Sequence, residues 1–324
     1  MKTALITGVT GQDGRHLTEL LLGLDYRVVG TCRDSQSSKA TEFGQIFPDV
    51  KIHTRPTETE KIQGELIDEY SPDEIYNLGA LSSVFASYGD PVGVANETAI
   101  WAIKLFEACR KSGIADSVKV YQAGSSEMFG IPSESPQSEE TPFHPISPYG
   151  ASKAFAHNIA VQYREIYGLS ISNGILYNHE GPYRSPDFVS RKITSSVAQI
   201  KAGKIQKFKL GNMEGRRDWG YAGDYVKAMY LMLQSESADD FIISTGKSHS
   251  VRDFLELALK KANLEPNIEK YIEFDQSLQR PADSKVLVGD NTKARKELGW
   301  EPETSFEELV ELMLDEDIRL IQEG

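Results

Sequence analysis

Tyr149 and Lys153 stand four residues apart in SPYGASK, and Ser125, Ser126 and Glu127 stand together in QAGSSEMFG. On a helix, a spacing of four stacks two side chains on one face. A lysine cation beside a phenol favours the phenolate, which predicts a lowered tyrosine pKa and a base usable near neutral pH. Ser125 ends an apolar run and can donate to the same phenol oxygen, and Glu127 adds a carboxylate two residues on. The bland reading is a helix start with an incidental carboxylate and a surface Tyr-x-x-x-Lys pair. The reading with consequences is a place where protons are moved.

A second motif favours the latter. TGVTGQDG places Gly8, Gly11 and Gly14 between an apolar run and a leucine-rich helical pattern. The first glycine permits a tight turn, the second lets the backbone approach a pyrophosphate, and the third lets the helix pack on the sheet. The helix N-terminus then faces the anion. At the end of the next apolar run, where an NAD site usually carries an acidic residue, this chain has Cys32, Arg33 and Asp34. Arg33 suits a 2′-phosphate and favours NADP. Asp34 opposes it, so NAD stays open.

These residues need elements to hold them. TALITG, YRVVGTC, DEIYNLGA, SVKVYQAGSS and ISNGILYN read as buried strands. Between them, Arg15 to Leu24, VANETAIWAIKLFEACRKSG and SPYGASKAFAHNIAVQYREIYG read as helices. Gly113 would close the second helix. Ser147 would cap the third, with Pro148 in its first turn and Gly168 at its end. The alternation predicts an α/β fold: a Rossmann-type doubly wound parallel sheet over residues 1–175, with a smaller C-terminal α/β substrate-binding domain over 176–324. DFIISTG, near 241–246, would rejoin the first sheet. GPYRSPDFVSRKI and LGNMEGRRDWGYAGD read as pocket-shaping loops. SPQSEETP reads as a polar surface loop. SVRDFLELALKKAN and FEELVELMLDEDIRLI read as helices with charged faces.

Composition excludes several classes. The chain has 324 residues, 40% of them hydrophobic, and a net charge of -13. Such an acidic surface repels phosphate backbones and argues against nucleic acid. Two cysteines, Cys32 and Cys109, make neither a disulfide framework nor a metal pattern. No apolar run approaches a membrane span and the N-terminus lacks a signal-like run. The expectation is a soluble cytoplasmic protein with no metal and no membrane partner.

The motifs together resemble the extended short-chain dehydrogenase/reductases over essentially the whole chain. Within them, the chain resembles the GDP-mannose 4,6-dehydratase family. ALITGVTGQDG, DEIYNLGA, VKVYQAGSSEMFG, SPYGASK, NGILYNHEGP, FVSRKI, LGNMEGRRDWGYAGDYV, STGKSHSVRDF and TKARKELGW carry the likeness. The resemblance implies a hydro-lyase that oxidises C4 of a GDP-hexose with NADP. Tyr149 would take the hydroxyl proton and Glu127 the C5 proton. Water would leave from C6, helped by Ser126 or Glu127, and the hydride would return to C6. Ser125 stands where the family usually has Thr. The resemblance also implies cofactor contacts at Thr10, Gln12, Asp13, Leu78, Ala80, Tyr149 and Lys153, beside the glycines and Arg33. It implies substrate contacts at Ser126, Asn178, Val189, Lys192, Gly211, Arg217, Arg280 and Asp283. The guanidinium fork suits a diphosphate. A homodimer would form through Ala99–Lys111 and Pro148–Tyr167, supported by Ile100, Ile103, Phe155 and Ile159; a tetramer stays open. Sugar-nucleotide 4-keto reductases and epimerases share the Ser-Tyr-Lys core, so GQDG, RKI and RDWG carry the preference for dehydration. A non-catalytic nucleotide-binding protein is a further alternative, opposed by the intact proton-transfer set.

Overall fold

The computed structural model of the chain describes residues 1–54, 60–278 and 286–323. Seven parallel strands form the main sheet: β1 (Thr3–Thr7), β2 (Arg27–Cys32), β3 (Lys51–Thr54), β4 (Glu74–Asn77), β5 (Lys119–Ala123), β6 (Ser170–Leu176) and β11 (Asp240–Ile243). Their order is β11-β6-β5-β4-β1-β2-β3. The order reverses between β1 and β4, and a crevice opens at the carboxyl ends of such neighbours. There Thr7 donates to Asn77 (2.8 Å) and receives the Gly79 amide (3.0 Å), which ties the two strand ends together.

The inner strands are largely buried because both faces are covered, whereas the edge strand β3 is polar and part-exposed. On one face lie α1 (Gln12–Gly23), α2 (Ser38–Ile46) and α9 (Ala222–Gln234), with Leu17, Leu21, Phe43, Tyr225 and Met229 packed on Ala4 and Ile6. On the other lie α3 (Glu60–Tyr70), α6 (Trp101–Lys111) and α7 (Pro148–Tyr167), with Leu105, Phe106, Ala156 and Ala160 packed on Leu5, Val120 and Ile171. Two helical turns, α4 (Val84–Ser87) and α5 (Pro91–Val94), lead through a π-turn into α6. The α/β, doubly wound expectation therefore holds.

A separate apolar cluster gathers α8 (Val189–Lys201), α10 (Val251–Lys261) and α11 (Phe306–Glu323) around Ile193, Val197, Trp219, Phe254, Leu255 and Met313. Small sheets join this part: β7 (Asn178–Glu180) with β10 (Trp219–Tyr221), β8 (Phe208–Leu210) with β13 (Ile272–Phe274), and β9 (Arg216–Arg217) between β12 (His249–Ser250) and β14 (Val286–Leu287).

Local capping follows the sequence at α7. Ser147 accepts the Gly150 amide, Pro148 opens the first turn, and Gly168 closes the helix at φ 73. Three expectations fail in whole or in part. The helix before β5 ends at Ser112, not Gly113, because the Ser112 hydroxyl satisfies the Cys109 carbonyl (2.7 Å) and the chain turns extended there. The Gly/Pro/Arg-rich stretches after Gly181 are not all loop. α8 begins at Val189, inside FVSRKI, and its apolar residues at 189, 193, 197 and 200 keep a helical spacing.

SPQSEETP is a surface loop only in part: Ser135, Pro136, Glu140 and Pro142 are exposed, but Gln137 and Thr141 are buried. Gln137 is fully buried, accepting from Tyr177 (2.8 Å) and exchanging backbone hydrogen bonds with Val288 and Asp290. Glu139 accepts the Ile242 amide on β11 (2.8 Å). β11 ends the sheet, so the loop caps an edge strand that would otherwise offer open backbone donors.

Candidate active site

The crevice at the strand ends collects the proton-transfer residues. The whole stretch from Tyr121 to Gly130 is buried. Past β5 the chain makes a single 3-10 turn, Ser126–Met128, in which the Ser125 hydroxyl accepts the Glu127 amide (3.2 Å). Ser125, Ser126 and Glu127 are thus presented together at a strand end, against the first turn of α7. Tyr149 in that turn packs with Val84 and Val94, and Lys153 lies one turn on. The Lys153 ammonium donates to the Ala123 carbonyl (2.7 Å) and sits 5.9 Å from the centre of the Tyr149 ring.

The expected lowered phenol is not what this arrangement gives. Burial pushes Tyr149 up to about 12, with the Glu127 charge acting in the same direction and a hydrogen bond with Ser125 opposing both. Burial also pulls Lys153 down to about 8. Desolvation dominates both shifts because both groups lie away from water, and it disfavours the charged form of each. Helical spacing brought them together but did not reveal the cost of burying them.

The glycine loop forms as a cradle. Gly8 adopts φ +72, and a Cβ on Gly14 would lie 2.3 Å from the Val9 carbonyl oxygen. The start of α1 therefore packs tightly on the loop after β1, an arrangement that suits a diphosphate at the α1 N-terminus. Thr10 and Asp13 are half-buried, Gly11 is exposed and Gln12 is buried. Leu78 and Ala80 follow β4, half-buried, at the reversal of strand order. Arg33 and Asp34 are exposed beyond β2, after a buried Cys32.

Asp13 would be a poor neighbour for an anion were it unpaired. It accepts from His179 Nε2 (2.9 Å), and Gln12 donates to it (3.2 Å). Burial raises its carboxyl, but His179, Gln12 and Arg184 more than offset this and hold it well below the usual carboxylate range. Burial lowers His179, and the Asp13 carboxylate more than offsets that, so the imidazole is raised. His179 also bonds the Tyr177 carbonyl (2.7 Å) and stacks on Tyr225. His179 and Arg184 escaped the residue reading, although NHEGPYR carries both. One turn along α1, burial holds His16 down at about 4.

The residues expected on the sugar-nucleotide side are more spread. Asn178 opens β7 and pairs with Trp219 of β10. Val189 is the first residue of α8, and half-buried Lys192 lies in the same turn. That end of α8 is fixed from two sides: Ser190 donates to buried Glu180 (2.6 Å), and Arg191 pairs with Asp317 of α11 (2.8 Å). Gly211 follows β8, where a Cβ would lie 3.0 Å from the Leu278 carbonyl oxygen. Arg217 is buried on β9 and donates to the Arg216 carbonyl (2.8 Å). Arg280 and Asp283 lie outside the described residues. Among the described residues no cluster of His, Cys, Asp and Glu could hold a metal ion, and no helix is long and apolar enough to cross a membrane. Cys32 and Cys109 are free and buried.

Residues 5–313 match the profile of the GDP-mannose 4,6 dehydratase family. The chain is 47% identical to GDP-mannose 4,6 dehydratase 2 of Arabidopsis thaliana, over 98% of this chain and 87% of the relative. It is 40% identical to the human GDP-mannose 4,6 dehydratase, over 98% and 92%. Among solved structures, UDP-glucose 4-epimerase of Thermus thermophilus in complex with NAD superposes with a TM-score of 0.84. The two are 26% identical, covering 97% of this chain and 98% of that one.

Proposed function

The chain belongs to the GDP-mannose 4,6-dehydratase family, and we propose that it removes water from GDP-mannose to give GDP-4-keto-6-deoxymannose. This is the reaction of a hydro-lyase. The observation that carries the reading is the buried Ser125–Glu127 turn set against Tyr149 of α7. It puts a carboxylate beside a hydroxyl–phenol pair, as a sequence of two deprotonations requires.

Tyr149 accepts the C4 hydroxyl proton, and Ser125 steadies the phenol oxygen through its hydrogen bond. A phenol pushed up to about 12 needs nearby positive charge to act as a base, which Lys153 supplies on the same helix face. A nicotinamide cofactor held at the loop from Gly8 to Gly14 would supply a hydride acceptor for C4 and a hydride donor for C6. A C4 ketone acidifies the C5 proton, which passes to Glu127. The C6 hydroxyl leaves as water after taking a proton from Glu127 or Ser126. A proton then returns to C5, so the net change is the loss of one water.

A nicotinamide dinucleotide fits the glycine-lined loop from Gly8 to Gly14, with Thr10, Gln12, Asp13, Leu78 and Ala80 around it. NADP is favoured over NAD because exposed Arg33 can meet a 2′-phosphate. We assign the sugar nucleotide to Ser126, Asn178, Val189, Lys192, Gly211 and Arg217, with Arg280 and Asp283 by motif. The cofactor part then comprises residues 1–175 together with β11, and 176–324 supplies mainly the substrate part.

A homodimer through α6 and α7 is supported by exposed Ile100 and Phe155; Ile103 and Ile159 turn partly into the core instead. Sedimentation showing only monomer at micromolar concentration overturns the dimer. Incubation with GDP-mannose should yield a 4-keto product with no net change in cofactor redox state. Turnover of a 4-keto-6-deoxy sugar nucleotide with NADPH, and none of GDP-mannose, would establish a reductase instead.

A further inference from the structure

The reaction above needs two proton acceptors at adjacent sugar carbons, and one glycine lies between them. Gly150 follows Tyr149 in the first turn of α7. A Cβ built on Gly150 would stand 2.4 Å from the carbonyl oxygen of Glu127, 3.1 Å from its carbonyl carbon and 3.2 Å from the Pro145 Cβ. The backbone carrying the C5 base thus rests directly on the backbone beside the C4 base. No flexible side chain separates them.

Neither partner is loosely held, but they resist differently. α7 runs 20 residues with Ala154, Ala156 and Ala160 buried along it, and its Gly150 amide is fixed on Ser147 (3.0 Å). The helix cannot shift without disturbing a close-packed face. The Glu127 turn is three residues long, tied by Met128 N to Ser125 O (3.1 Å), Phe129 N to Ser126 O (3.0 Å) and His144 N to Met128 O (3.0 Å). An added methyl would therefore be relieved by rotating the peptide after Glu127, at a cost to the carboxylate's position.

We propose that Gly150 is a positioning residue that sets the distance between the two proton-transfer centres, so that oxidation at C4 and elimination across C5–C6 can be uncoupled at this one position. The inference rests on the dehydratase reading. A displacement of about 1 Å can cost about 100-fold in a step that depends on alignment. Tyr149, on the helix side of the contact, keeps its place.

The test is Gly150→Ala holoenzyme with GDP-mannose in D₂O, followed for reduced nicotinamide by absorbance and for dehydrated, C5-deuterated product by mass spectrometry. Reduced nicotinamide should form within about threefold of the parental rate and persist, while dehydrated product falls about 100-fold. Glu127→Gln should give the same signature. Parallel loss of both steps, or elimination within about threefold of parent, overturns the proposal. Should Gly150→Ala not fold, Glu127→Asp draws the carboxylate back by one methylene without touching α7. A selective loss of elimination then supports positional control, and unchanged elimination overturns it. Parental enzyme that leaves GDP-mannose unconverted overturns the dehydratase reading itself, and this inference with it.

Discussion

Two aspartates, half-buried Asp13 at the glycine loop and buried Asp218 between β9 and β10, are driven in opposite directions. Asp13 faces His179 and Arg184, and those cations overcome burial and hold its carboxyl low. Asp218 accepts from neutral donors: the Thr245 amide (2.8 Å) and hydroxyl (2.6 Å), the Gly246 amide (2.8 Å) and the Gly289 amide (3.4 Å). Burial wins there, and the carboxyl rises to about 6 against those donors. Both residues are perturbed, yet only one adjoins the crevice. A shifted pKa marks a functional site only when ligand-facing groups surround it. Around Asp218 the carboxylate ties one backbone segment to another. Around Asp13, Tyr149 and Lys153 the charges face the space where reacting groups must lie.

If that contrast is right, changes at the crevice should alter rate and spare stability, and changes at Asp218 should do the reverse. The largest effect is expected from Tyr149→Phe, with kcat lower by about 10³-fold and a thermal melt close to the parental one. A single turnover should show no reduced nicotinamide. A variant that melts early instead would place Tyr149 with the structural groups.

Next comes Asp218→Asn, which turns an acceptor into a donor facing backbone N–H groups. The expected cost is about 2–3 kcal/mol of stability, read by denaturant titration, with kcat of the folded enzyme within about threefold of parent. A large fall in kcat at unchanged stability would erase the distinction.

Lys192→Ala tests the expected phosphate contact on α8. Its side chain is half-buried, so folding should be spared. KM for the sugar nucleotide should rise by about 10-fold or more with little change in kcat, the mark of lost uniform binding.

The smallest effect concerns the Asp13–His179 pair. Asp13 is lowered from an ordinary 3.8, so its contribution is present above that value and lost as pH falls through the depressed one. His179 is raised from 6.5, so its contribution is present below that value and lost as pH rises through the raised one. The pair should therefore stabilise the protein most between these ordinary values. Relative to His179→Gln, parental protein should melt about 2–4 °C higher there, with the gap closing at both extremes. A constant gap across pH would show that His179 contributes packing rather than charge.

Much of the fold was legible in order. The alternation of apolar strands and amphipathic helices reached six of the seven strands of the main sheet, missing the short polar edge strand β3, and Ser147, Pro148 and Gly168 bounded α7 where capping chemistry says they should. Legibility failed where tertiary partners override local composition. SPQSEETP is polar, but Gln137 and Glu139 spend their polarity inside, on Tyr177, Val288 and the edge of β11. FVSRKI sits among glycines and prolines and still opens a helix, because Glu180 and Asp317 hold Ser190 and Arg191. His179 and Arg184 were in plain view but carried no spacing signal, since their partner Asp13 lies more than 160 positions away.

Residue order alone accounts for the strand–loop–helix arrangement, the Tyr149–Lys153 stacking and the presence of Ser125 and Glu127 at a strand end. Glycine, proline and hydroxyl residues act over a few positions, and helical periodicity fixes which side chains share a face. It took the folded chain to show that burial pushes Tyr149 up and Lys153 down, that His179 neutralises Asp13, and that Gly150 carries the Glu127 backbone. Those outcomes depend on desolvation and on contacts between distant segments, and neither has a value until the chain has closed around them.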